Sequence, residues 1–224
     1  MVGRRRRRER FCARGATQTL PRGRSTSPLG AMTEHLLHTD EREDIIASLM
    51  LVKSQLDHVD TDLAAWKWIL VGTHSCLQSA MAFHLGFGND LLVATQECAE
   101  KWLDAHAKGT PYPDLMMDGF LDLYDKIKKH EILGYKFSPQ GSQGGSVKLV
   151  NRLRNQFVHF MPKGWTIELS GLPTACRDCL SIVSHLDGGS MSRRWESEAQ
   201  QQRARTLLVD CMSKLDAMAA EYGA

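Results

Sequence analysis

Apolar residues recur along most of this chain at intervals of three and four positions, the spacing that places them on one face of an α-helix. The clearest case is residues 40–60, where one apolar stripe is formed by Ile45, Leu49, Val52 and Leu56. Acidic residues lie at the N-terminal end of this segment, where they stabilise a helix. Residues 62–87 follow the same period but are apolar on more than one side. The pattern therefore predicts one amphipathic helix followed by a helix at the centre of a bundle.

The helical period continues to the end of the chain, and the alternation typical of strands is almost absent. Further helices are predicted at 91–108, at 114–131 with Asp114 as the N-cap, and at 147–160, 174–186 and 195–222. Ser142 or Ser146 is the expected cap of the helix at 147–160, and 165–169 is the only short strand candidate. We predict a single all-α bundle of about six helices over residues 32–224, closed by a C-terminal helix.

Charge is distributed unevenly between the first 31 residues and the rest. The leader holds nine Arg and one Glu, a formal charge of +8, which leaves −6 for residues 32–224 against the whole-chain value of +2. Residues 1–31 are poor in large apolar side chains and are expected to be disordered, with Met32 as the true start of translation. A nonspecific RNA-binding arm or a transit peptide are the alternatives for the leader. The acidic body argues against a broad basic face that coats nucleic acid.

The chemistry of cysteine, histidine and carboxylate residues limits the function classes further. Six cysteines without an apolar export segment indicate reduced thiols and a cytoplasmic protein. The Cys176 and Cys179 pair falls inside a predicted helix without a second pair at zinc-finger spacing, so a structural role is favoured. His74, His84, Trp66 and Trp68 are expected in the core. No metal, no cofactor and no membrane segment are predicted.

One stretch, residues 152–160, concentrates groups that bind phosphate and move protons. It contains Arg152, Arg154, Asn155 and His159, and it precedes a helix stop at Pro162 and Gly164. In a straight helix Arg152 and His159 nearly superpose, whereas Arg154 lies about 140° from His159. The opposite face, Val147, Val150, Leu153, Phe157 and Phe160, is expected to pack on the bundle.

Arg154 to His159 resembles the Arg-polar-x-x-x-His signature of HEPN domains, which are all-α bundles that are commonly metal-independent endoribonucleases. A subfamily associated with plasmids and phage defence is resembled by three further segments. They are the run from Phe157 to Trp165, the central helix with Trp66 and His74, and the helix that precedes it. The resemblance covers roughly residues 40 to 190.

The resemblance implies a homodimer in which both signatures line one RNA-binding cleft. His159 would be the general acid or base, Arg154 would hold the phosphate and Asn155 would orient the histidine or the phosphate, with Arg152 as an accessory substrate contact. It implies a toxin or phage-defence effector. The alternatives are a non-catalytic HEPN-like module that binds RNA, an antitoxin or a nucleotidyltransferase partner, and a scaffold without a nucleic-acid role.

Overall fold

The computed structural model describes residues 36–159 and 164–223. The chain divides into two units, Met1–Leu37 and His38–Ala224, and the second contains every helix of the described residues. The expectations for residues 1–31 and for Phe160 lie outside the described residues. The described residues contain seven helices, where about six were predicted: α1 Glu41–Leu56, α2 Ala65–Leu85, α3 Gln96–Lys108, α4 Phe120–Lys129, α5 Gln143–Val158, α6 Leu172–Gly188 and α7 Glu198–Tyr222. The all-α prediction is confirmed for this part of the chain.

Helix α2 is the centre of the bundle, as its apolar sides predicted. It packs against α1, α4, α5 and α6, while α7 closes the bundle against α1 and α6. The contact between α1 and α2 depends on Gly72, because a Cβ there would lie 2.8 Å from Val52 Cγ2 and 3.2 Å from the Ser48 carbonyl oxygen. Glycine thus lets the two helix backbones approach closely.

The two ends of the α1–α2 pair are held by side chains. Asp40 caps α1 by accepting hydrogen bonds from the backbone N–H groups of Arg42 and Glu43, both at 2.9 Å. At the C-terminal end of α2, the guanidinium of Arg194 donates to the carbonyl oxygens of Phe83, His84 and Gly86. A side chain more than 100 residues away in sequence therefore binds the carbonyl groups that the last turn of α2 leaves without a helical partner.

Helix α4 begins six residues later than the sequence predicted. The backbone of Met116 and Asp118 pairs with that of Val93 and Thr95 through two hydrogen bonds of 2.9 Å, which keeps this segment extended. Asp114 therefore caps no helix, and Leu115 beside it is 36% exposed. The pairing also explains why α3 starts at Gln96, since Thr95 ends the bridge and caps the helix.

Other local predictions had mixed outcomes. Trp66 is buried as expected, but Trp68 is 47% exposed, so its placement in the core was wrong. Ser142, one of the two predicted caps, occupies the N-cap position of α5, but neither its side chain nor that of Ser146 makes a capping hydrogen bond. Both hydroxyls donate to Asp178 Oδ2 of α6, at 2.7 and 2.6 Å. Residues 165–169 form no strand pairing within the described residues. None of the helices described is long and apolar enough to cross a membrane.

His84 and His74 are buried, as predicted. His84 is 1% exposed, its Nδ1 lies within hydrogen-bond distance of Ser190 Oγ, and its Nε2 has no partner in the described chain. Burial, together with the positive charges of Arg194 and His185, lowers the pKa of His84 to about 4. The imidazole is therefore neutral at pH 7.

This burial predicts a loss of stability in mild acid. Between pH 6.5 and pH 4 the unfolded chain binds a proton at His84 that the folded chain does not, so stability falls as the pH falls. At pH 5 the contribution is about 2 kcal/mol. Urea unfolding at pH 7 and at pH 5 measures how far the free energy of unfolding falls between the two pH values. We expect this fall to be about 2 kcal/mol smaller in His84→Gln than in the wild type.

The comparison is internally controlled, because carboxylates that titrate in the same range are shared by both proteins. An equal loss of unfolding free energy in the two proteins would mean that His84 binds its proton equally in the folded and unfolded states.

Candidate functional site

Helix α5 and its C-cap residue hold all the predicted site residues, and the helix is anchored by its apolar face. Val147, Val150 and Leu153 are buried against the bundle, and Phe157 is half-buried with its ring 4.7 Å from that of Trp165. The predicted inward face is thus confirmed over these four positions. The anchoring fixes which sides of α5 are available for binding: the flank toward α2, the opposite flank, and the C-terminal end.

His159 lies just beyond the helix, which ends at Val158 and not at residue 160. It is the C-cap residue, with φ −123° and ψ 33°, its side chain is exposed, and its backbone N–H donates to the Asn155 carbonyl at 2.9 Å. The expected superposition of Arg152 and His159 assumed helical geometry through this residue. Because His159 has left that geometry, helical phase does not set the direction of its imidazole, and the 140° separation from Arg154 does not apply.

Asn155 contacts one of the other two signature residues through its side chain and the other only through the helix backbone. Its side-chain oxygen accepts a hydrogen bond from Arg154 Nη1 at 3.1 Å, and its backbone carbonyl accepts the last helical hydrogen bond from the His159 N–H. Arg154 is half-buried, whereas Asn155 and His159 are exposed. Arg154, Asn155 and His159 therefore lie within the last turn of α5 and its cap, and we call this polar unit the α5 end.

A buried histidine of α2 lies beside this unit. His74 Nε2 is 3.1 Å from Asn151 Oδ1, and its ring stacks on Phe120 with 3.9 Å between centroids. Burial lowers the pKa of His74 to about 4, and the positive charge of Arg154 contributes in the same direction. His74 is 3% exposed and neutral at pH 7, so it supports α5 from inside and is not placed to exchange protons with a substrate.

Sequence reasoning missed Asn151 as a member of this network. Asn151 is one helical turn before Asn155, and its amide joins α5 to α2 through His74. The available signal was its position, three residues before Arg154 and four before Asn155, on the flank of α5 that carries Arg154. Nothing in the sequence identified which residue of α2 it would meet.

Arg152 lies on a different side of α5 from Arg154, two residues and about 200° away. It lines an open groove of about 520 Å³ between α5 and the segment 165–172, together with Gln156, Trp165 and Glu168. We call this the Arg152 groove. The two arginines therefore do not converge on a single point within one chain, and Arg152 belongs to a separate surface that adjoins the α5 end.

Groups suited to metal or thiol chemistry are engaged elsewhere. In the described ranges, no cluster of three or more His, Cys, Asp or Glu side chains has the proximity that a metal ion needs. Asp57, near the acidic junction of α1 and α2, pairs with Lys214. Cys176 and Cys179 are buried in α6, and burial raises the pKa of Cys176 to about 12, which keeps that thiol protonated.

Comparisons of the chain with protein-family models, with curated proteins and with solved structures gave no match. The HEPN resemblance therefore rests on the signature residues and the helical order of this chain.

Proposed function

We propose that this protein is a metal-independent endoribonuclease of the HEPN type, acting as a homodimer in the cytoplasm, as in a toxin or phage-defence effector. One observation supports the proposal: Asn155 binds the guanidinium of Arg154 at the end of α5, where the side chain of the C-cap residue His159 is exposed. A phosphate-binding cation and a proton-transfer group thus lie within the last turn and the cap of one helix, in an otherwise acidic body.

The proposed reaction is transesterification within the RNA strand. His159 removes the proton of a ribose 2′-hydroxyl, and the 2′-oxygen attacks the adjacent phosphorus. The bond from phosphorus to the 5′-oxygen breaks, and that oxygen leaves with a proton supplied by an acid. The products are a 2′,3′-cyclic phosphate and a free 5′-hydroxyl, so neither water nor a metal ion enters the bond-making step.

Arg154 has the geometry for the phosphate. Its planar guanidinium offers several N–H donors, of which one is bound to Asn155, and a phosphorane carries added negative charge on its equatorial oxygens. Asn155 holds the guanidinium by its side-chain oxygen and leaves its own NH₂ group for the RNA. In this arrangement Asn155 is a positioning residue for Arg154.

A second copy of the chain would complete the chemistry. The reaction needs a base at the 2′-oxygen and an acid at the 5′-oxygen, and each chain presents one exposed imidazole at the α5 end. His74 does not supply the second, because it is buried with a pKa of about 4. Val158, a large apolar residue that is 46% exposed beside His159, is suited to contact its equivalent in a symmetric dimer.

A non-catalytic module that binds a protein partner is the second candidate, and α3 favours it. Helix α3 packs against no other helix of the described residues, and Leu103, Tyr112 and Met116 around it are each more than half exposed. Such a surface fits an antitoxin or a nucleotidyltransferase partner, with or without RNA cleavage at the α5 end.

Cleavage of single-stranded RNA is expected to persist in excess chelator and to leave cyclic phosphate ends. His159→Ala should lower the rate by about 10² to 10⁴, the usual range for a lost general acid or base. Arg154→Ala should lower it by about 10² to 10³. The measurement is the initial rate on end-labelled RNA, with the 3′ ends identified by their resistance to phosphatase.

The matched controls are His58→Ala and Arg203→Ala. His58 is an exposed histidine between α1 and α2, and Arg203 is an exposed arginine on α7. Both should cleave at the wild-type rate. Full activity in His159→Ala and Arg154→Ala, with folding confirmed by circular dichroism, would place the active site elsewhere.

Subunit mixing tests whether one site uses both chains. When wild-type chains exchange subunits with an excess of His159→Ala chains, most wild-type chains enter mixed dimers that retain one His159 instead of two. Because the base and the acid come from different chains, we expect cleavage per wild-type chain to fall toward the level of His159→Ala. Unchanged cleavage per wild-type chain, in a mixture whose heterodimers are verified by mass, would mean that a single His159 is sufficient.

A further inference from the structure

The Arg152 groove differs from the α5 end in its chemistry, since it combines an aromatic face, both signs of charge and an apolar floor. Its volume of about 520 Å³ falls within the range of small-molecule sites. Leu149, Leu153 and Leu172 form the apolar part. Gln156, another lining residue, lies three residues before His159, so the groove and the proposed cleavage site are built on the same helix.

Trp165 gives the groove a stacking surface. Its indole is 37% exposed and lines the groove, while Phe157 packs against it at 4.7 Å and 55°. A ring supported from inside the protein and open to solvent on another side is what nucleobases stack on in proteins that bind single strands. The aromatic contact alone is tolerant of base identity.

Glu168 adds a group that distinguishes bases. Its Oε1 accepts a hydrogen bond from Ser170 Oγ at 2.9 Å, which orients the carboxylate at the groove. A carboxylate accepts two parallel N–H bonds, and guanine is the only common RNA base with two adjacent N–H donors, at N1 and N2. Adenine and cytosine place an acceptor next to their amino group, and uracil offers a single N–H.

The backbone and the cation complete the match. Residues 165–168 have no regular secondary structure, and their backbone groups make no hydrogen bond to other parts of the described chain, so they are available to base edges. Arg152 supplies positive charge at the same groove, suited to the phosphate that accompanies the base. Carboxylate, aromatic ring and guanidinium thus correspond to the three parts of a guanosine nucleotide.

We infer that the Arg152 groove binds a guanine base of single-stranded RNA and sets where the strand is cut. The inference rests on the proposed function in taking RNA as the ligand, and it adds the base that is selected. Glu168 holds the Watson–Crick edge of the guanine, Trp165 stacks on its ring, and Arg152 holds the neighbouring phosphate.

Binding to the full chain with His159→Ala tests the inference without cleavage of the probe. The probes are fluorescent oligouridylates that carry one central guanosine, adenosine or cytidine, or none, and anisotropy gives the dissociation constants. We expect the guanosine probe to bind about tenfold more tightly than the others. Glu168→Gln should abolish this preference, so that the guanosine probe binds no more tightly than the others, and Glu131→Gln, which alters an exposed glutamate outside the groove, should retain it.

Trp165→Ala should weaken binding of every probe by roughly 5- to 100-fold, with Trp165→Phe retaining most of it. Trp165→Phe also guards against misfolding, because it keeps an aromatic partner for Phe157. Equal affinity for all probes, or a guanosine preference that survives Glu168→Gln, would overturn the inference.

A parallel cleavage assay with the wild type separates this inference from the proposed function. Cutting without any guanosine preference would retain the ribonuclease and refute the guanine site. Guanosine-selective binding that depends on Glu168, with no cleavage by the wild type, would retain the guanine site and refute the ribonuclease. Absence of both cleavage and binding would refute both.

Discussion

Burial of α2 on nearly all sides is the constraint on which the rest of the structure depends. Fifteen of its 21 residues are buried, so neighbours must cover it on several flanks at once. Helix α1 covers one flank closely because Gly72 has no side chain, and α4, α5 and α6 cover others. The apolar area removed from water around this helix supplies most of the driving force that holds the bundle together.

The proposed site inherits its position from that constraint. Helix α5 must keep Val147, Val150 and Leu153 against the bundle, so its two flanks and its C-terminal end remain for chemistry. The flank toward α2 is fixed by the pair of Asn151 and His74, next to Arg154. The opposite flank forms a groove with the segment before α6. One helix thus presents two separate polar surfaces.

Periodicity predicted the helices because the core demands apolar residues at fixed intervals, and it failed where distant partners decide local structure. The start of α4 depends on backbone pairing of Met116 and Asp118 with Val93 and Thr95. Ser142, the N-cap residue of α5, and Ser146, in its first turn, donate to Asp178 and make no capping hydrogen bond. At the site, the sequence indicated Arg154, Asn155 and His159, but the contact of Asn151 with His74 depends on how two helices are rotated, which no local pattern encodes.

The hydrogen bonds from Arg194 to the end of α2 have a consequence for synthesis on the ribosome. Helix α2 ends at Leu85, whereas α6 ends at Gly188 and Arg194 follows it, so about 100 residues must be added before the last flank of α2 is covered and its final carbonyls are satisfied. At ordinary elongation rates this takes roughly 5 to 20 seconds. Throughout that interval the flank of α2 that packs against α6 stays exposed on the nascent chain. This apolar flank is therefore a binding segment for chaperones.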